Sequence, residues 1–135
     1  MPNAHTINYV PGFTAGESLT SSQYHMVFQS ADNAVSEADS AGNATGLIQG
    51  ILLNAPASGE PAEIAGDGSL GVYAKVLGNS VNISRGDKLK ADVSGSGKLI
   101  KTTTDTDDYH CIAREASTAD NDLIRVDVNF GMVAG

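Results

Sequence analysis

Apolar positions along the chain come in short alternating runs set between turn residues. In LIRVDVNF, Leu123 to Phe130, the residues Ile124, Val126, Val128 and Phe130 share one face, and Arg125, Asp127 and Asn129 share the other. A period of two marks a half-buried strand. GVYAKVL, Gly71 to Leu77, repeats the pattern with Val72, Ala74 and Val76 on one side. YHMVFQS, Tyr24 to Ser30, and YHCIARE, Tyr109 to Glu115, also read as strands. KLKADV and KLIKTTT are two further short strands, joined by SGSG, Ser94 to Gly97, which has the composition of a hairpin turn.

GLIQGILL, Gly46 to Leu53, is apolar almost throughout, so periodicity alone cannot separate a strand from a buried helix. Its shortness and its two glycines, Gly46 and Gly50, favour a strand. The one expected helical turn lies in AGESLTSSQY, Ala15 to Tyr24, with Ser18 or Thr20 as its cap. Ser30 to Thr45 is polar and small, and reads as exposed strand and loop. Many short strands at this spacing predict an all-β fold: a single compact β-barrel or sandwich-like domain of short antiparallel strands with little helix. Pro2 and Pro11 bracket a stretch before the first strong strand signal, so Met1 to Gly12 is expected to be an N-terminal arm and residues 13–135 the domain. Within the arm, Thr6 and Asn8 alternate with Ile7 and Tyr9.

NAPASGEPAEIAGDGSLG, Asn54 to Gly71, is the most distinctive piece. Pro56 and Pro61 stiffen its path, while Gly59, Gly66 and Gly68 permit sharp turns. Pro61 to Ala65 is expected as a short strand, and GDG as a hairpin turn into GVYAKVL. Arg85-Gly86-Asp87 spells an integrin-binding tripeptide, but Gly86 and Asp87 are also what a tight turn needs on its way into a strand, and the turn is the expectation.

Composition narrows the function. Net charge is −8, from 16 acids against 8 scattered basic residues, which disfavours nucleic acid and acidic membrane surfaces as partners. Only 5% of residues are aromatic and none is Trp, so the core must be built from aliphatic side chains. The first residues carry neither a basic cap nor a long apolar run, and a soluble protein made in a cytosol is expected. One cysteine, Cys111, rules out an intrachain disulfide and a four-cysteine zinc site.

The candidate chemistry is thin. GSGK, Gly95 to Lys98, lacks the upstream Gly and following Ser or Thr of a phosphate loop, and a strand follows it instead of a helix. The acids around Asp105 lack the sixth-place Gly of a calcium loop, because His110 stands there. His110 and Cys111 are neighbours on a strand and so face opposite ways. No catalytic residue, cofactor or metal is therefore expected.

Four pieces, from about Phe13 to Val128, resemble the small capsid cement or decoration proteins of tailed bacteriophages. They are FTAGESLTSSQYHMVFQS, GLIQGILLNAPASGEPAEIAGDG, VNISRGDKLKADVSGSGKLIK and CIAREASTADNDLIRVDV. The chain departs from that family at Cys111, where Gly is more usual, and the arm lies outside the resemblance. The resemblance implies a β-tulip-like fold on the exterior of a virion. It implies a homotrimer whose partner is the major capsid protein, clamping neighbouring subunits of the expanded head, with no enzymatic activity, no direct nucleic-acid contact and no membrane. His5, Thr6, Ile7, Asn8, Tyr9 and Val10 are the expected contact arm, adding a strand to a capsid loop or a neighbouring protomer. The alternatives are a virion-surface adhesion or glycan-binding module, which the shortage of aromatics disfavours, and a small hydrolase with Cys111 as nucleophile.

Overall fold

Alternation along the strands is read out as two curled sheets. The computed structural model describes residues 6–39, 47–79, 81–92, 96–102 and 108–132. Its strands are β1 (Thr14–Ala15), β2 (Met26–Ala31), β3 (Ala34–Glu37), β4 (Ile48–Leu52), β5 (Ile64–Ala65), β6 (Val72–Leu77), β7 (Lys88–Ala91), β8 (Leu99–Lys101), β9 (Asp108–Ala113) and β10 (Asp120–Met132). The first five form a sheet in the order β1-β3-β2-β4-β5, and the last five close into a barrel in the order β10-β6-β8-β7-β9. Pairing is antiparallel except for β1 with β3 and β6 with β8. The protein is a compact all-β domain, with no helix among the described residues.

The barrel is the simpler half. Val72, Ala74 and Val76 of β6 and Ile124, Val126 and Val128 of β10 are all buried, as the alternation predicts. Leu89, Ala91, Leu99, Cys111 and Ala113 complete its lining. Five strands enclose a narrow interior that Ala, Val, Leu and Cys can fill, so a core without large aromatics is what this geometry requires. Each fully buried aliphatic side chain contributes about 1.5–3 kcal/mol to folding.

The sheet is buried on both faces. Met26, Ile51 and Ala65 join the barrel's core, while their strand neighbours Val27, Leu52 and Ile64 pack on the other side with Ala15, Leu19 and Val35. Adjacent strand residues point to opposite faces, so a strand covered on both sides has no polar positions to alternate with. That is why GLIQGILL showed no period. Its Ile48–Leu52 form β4, and Gly50 in the middle of that strand is there for space. A Cβ on Gly50 would lie 2.0 Å from the carbonyl oxygen of Ala65, and its φ of +146° strains any other residue.

Four expectations need correction. No helical turn forms at 15–24: Leu19 N donates to Pro56 O at 2.9 Å, and hydrogen-bonded turns carry the chain to Tyr24 and His25. The chain also enters β2 at Met26, two residues later than expected, because Tyr24 has a φ of +70°. The GDG stretch turns, with Ser69 N donating to Gly66 O at 3.1 Å, but it does not make a hairpin. β5 pairs with β4 and β6 pairs with β10 and β8, so GDG is the crossover from sheet to barrel. Gly68 N and Ser69 O bond β10 through Val128, which competes with hairpin closure.

The fourth correction concerns the arm. Thr6 bridges Leu70, Tyr9 bridges Ala65 and Thr14 bridges Pro61, all antiparallel. Between these, Gly66 N donates to Asn8 O, Val10 N to Ile64 O and Ala62 N to Phe13 O. Residues 6–15 thus run alongside residues 59–70 without a break at Gly12, and Val10 and Phe13 pack on the sheet's second core. The boundary expected at Gly12 does not separate an arm from a domain. His5, Ser94, Gly95 and Asp105 lie outside the described residues.

Candidate ligand cleft between the two sheets

The N-terminal segment, by folding back, also builds a cleft. Ile7 and Tyr9 form one wall, Tyr24, Leu53 and Glu63 come from the sheet, and Gly71, Val72, Tyr73 and Arg125 come from the barrel. The cavity measures about 280 Å³. Three of the chain's four tyrosines converge there.

Each wall is fixed by backbone bonds. Tyr24 N donates to Leu52 O at 2.6 Å, and Tyr24 O accepts from Lys75 N at 3.0 Å, so this residue ties sheet to barrel. A non-glycine residue at positive φ is held only where its surroundings over-determine it, and these two bonds do so. Tyr24 and Tyr73 meet edge to face, with ring centroids 6.5 Å apart. The Arg125 guanidinium lies 5.5 Å from the Tyr73 ring centroid and 3.9 Å from Glu115 Oε1. Opposite, Leu53 N donates to Glu63 O at 2.7 Å, and Asn54 Oδ1 accepts from Glu63 N at 3.0 Å. Tyr9 and Tyr73 stay 59% and 41% exposed, so their rings are available to a ligand.

Of the six residues expected to form a contact arm, the cleft takes Ile7 and Tyr9. Asn8 points the other way into the crossover, where its Nδ2 donates to Asp67 O and its N to Ser69 Oγ, each at 2.8 Å. Val10 is in the sheet's core. On the edge facing residues 59–70, Thr6 O, Asn8 N, Asn8 O and Val10 N are bonded within the chain.

Of the residues expected to make turns, Gly59, Gly68 and Gly86 sit in turns, whereas Pro61 bridges Thr14. Pro56 is buried, and Gly59 and Gly68 have φ of +85° and +95°. A Cβ on Gly66 would meet Val10 Cγ2 at 2.4 Å. Gly86 has φ +94°, and Asp87 closes its turn by accepting from Ser84 N at 2.8 Å and pairing with Lys101 at 3.3 Å. The Arg85-Gly86-Asp87 tripeptide is a turn whose Asp carboxylate is engaged.

Two other places in the fold gather titratable side chains. His25 Nδ1 bonds Glu37 Oε1, and Ser22 Oγ donates to Glu37 Oε2 at 3.3 Å. The Glu stands between Ser and His, whereas a nucleophilic serine must bond the imidazole itself. No spacing in the sequence marks this trio, because the pairing of β2 with β3 is what brings its members together. Cys111 is fully buried, and burial, reinforced by the negative Asp127, pushes its thiol pKa up, which suppresses the nucleophilic thiolate. His110 packs on the Phe130 ring at 5.2 Å, and burial lowers its pKa against the pull of Asp108. Among the described residues no group of three or more His, Cys, Asp or Glu side chains is placed to hold a metal. No protein-family model matches the chain, and no curated protein matches it.

Proposed function

We propose that this is a structural protein of a bacteriophage head, binding the outer surface of the shell and clamping neighbouring major capsid subunits as an oligomer, with a trimer as the preferred form. One observation carries this reading. Within the piece with the most specific resemblance to capsid cement proteins, Asn54 to Pro61 folds as a largely exposed loop braced by its own side chains, ahead of the buried strand β5. Asn54 braces it from inside, with Nδ2 donating to Pro61 O at 3.1 Å and Oδ1 accepting from Glu63 N. Glu60 Oε1 accepts from Ala57 N at 2.7 Å, so its carboxylate shapes the loop. Ala55 and residues 57–61 face solvent above the buried Pro56.

A loop already held in one conformation loses little entropy when it docks. Several such loops on one oligomer then combine weak contacts through effective concentration. The charge of −8 favours capture by basic patches on the shell. Clamping needs only binding energy across subunit joints, so no residue is assigned a chemical step.

The test is co-sedimentation of purified protein with expanded capsids that lack it. Saturable binding, reduced at high salt and lost with Asn54→Ala together with Glu60→Ala, is the expected result. Failure to co-sediment with any expanded shell sinks the reading.

A further inference from the structure

From the chemistry of the cleft between the sheets, we infer that it is a carbohydrate subsite that takes a single neutral pyranose ring. Tyr9, Tyr24 and Tyr73 give it aromatic faces, which accept the C–H face of a sugar and carry a hydroxyl at the edge. Glu63 contributes a carboxylate that accepts from sugar hydroxyls, while Arg125, held beside Glu115 and over Tyr73, forms one side of the wall. At about 280 Å³ the cavity stands at the small end of the ~300–1,000 Å³ typical of ligand sites, the scale of one ring.

Other occupants fit less well. On the sheet and barrel walls an extended peptide would find backbone groups already bonded: Leu53 N to Glu63 O, Leu53 O to Gln23 Nε2 and Gly71 N to Asp127 Oδ1. A cation would compete with Arg125 for the face of Tyr73. An anion would meet Glu63. A neutral ring with one apolar face and a hydroxyl rim carries no charge to conflict with Arg125 or Glu63, and Tyr9, 59% exposed, offers it the most open of the three rings. Strain held at Tyr24 keeps the cleft shaped before any ligand arrives. The shortage of aromatics in the chain thus says little against sugar binding, because three of them are gathered in one place.

The experiment is saturation-transfer NMR on the full chain with the methyl glycosides of glucose, galactose and N-acetylglucosamine. At least one should bind with millimolar affinity and receive transfer mainly on one ring face. Tyr73→Ala should weaken binding about tenfold, the equivalent of about 1.4 kcal/mol. Glu63→Gln, at an exposed position, should weaken it severalfold without changing the melting temperature. Tyr109→Phe, outside the cleft, should leave it unchanged. No transfer from any of the three glycosides overturns the inference, as does binding that survives Tyr73→Ala. If sugars fail and Tyr73→Ala instead lowers the sedimentation coefficient, the cleft is a contact between copies of the chain, and the inference falls. Capsid co-sedimentation is a separate readout, so either assignment can fail alone.

Discussion

The barrel of residues 72–132 and the sheet of residues 14–65 are made of similar short strands, yet they dispose of their edges differently. The barrel joins β10 to both β6 and β9 and has no edge left. The sheet stays open as a set of strands and is completed by an irregular segment, residues 6–15 running beside residues 59–70. Unpaired strand edges invite association with other chains, and both halves suppress that hazard. The barrel does so with regular alternation and small side chains. The sheet needs special backbone: a bare Cα at Gly50, a close approach at Gly66, and a positive φ at Tyr24. Regular closure tolerates side-chain change until a cavity opens. Irregular closure depends on a few atoms that have nowhere to move.

The largest test of that contrast is Gly50→Val. Backbone strain at positive φ and a collision with the Ala65 carbonyl should together remove about 4 kcal/mol or more. Urea unfolding would show a chain that is unfolded or close to it; a loss under about 1 kcal/mol would mean that β5 can shift, and that the sheet is softer than described. Next come Leu52→Ala in the sheet and Leu89→Ala in the barrel, each expected to lose about 2–5 kcal/mol. Because Met26 and Ile51 share a core with the barrel, both variants should unfold in a single transition by circular dichroism and by Cys111 thiol exposure alike. Separate transitions would divide the molecule into two cooperative units.

A smaller effect belongs to the barrel alone. Burial lowers the pKa of His110, so below about pH 6.5 the unfolded chain takes up a proton that the folded one refuses. Stability should therefore fall as pH drops from about 6.5 to the lowered folded value, and level off below it. His110→Gln should flatten that slope in denaturation series run between about pH 5 and 7. The smallest effect is Arg114→Ala. Its bond to Asp127 is 2.9 Å long but Arg114 is exposed, so the loss should stay within about 1 kcal/mol and shrink with salt. Asp127→Ala should cost more, because that carboxylate also accepts from Gly71 N where the crossover enters β6.

How much of this was legible in the sequence follows the same division. Val72, Ala74, Val76, Ile124, Val126 and Val128 were placed on one face by alternation, and the β7–β8 pairing was visible from its turn residues. The sheet was harder to read. Its two covered faces erased alternation in β4, and GDG looks like a hairpin turn whether or not its flanking strands pair. Nothing local distinguishes a free arm from one that folds back, because the partners of Thr6 and Tyr9 lie near Leu70 and Ala65. The cleft was invisible for a related reason. Tyr9, Tyr24 and Tyr73 share no spacing, and only the meeting of three separate segments places them together.

The crossover at residues 66–70 has a consequence for how the chain is made. Every strand pair of the sheet joins residues below 66, and the segment that completes it ends at Leu70. A ribosome therefore delivers all of the sheet's pairing partners before it reaches β6, the first strand of the barrel. The barrel stays an open ribbon until β10, the last strand to emerge, reaches both β6 and β9 at once. A nascent chain stalled before Asp120 carries a paired sheet beside four barrel strands that cannot close, with Met26, Ile51 and Ala65 still lacking the barrel core they share.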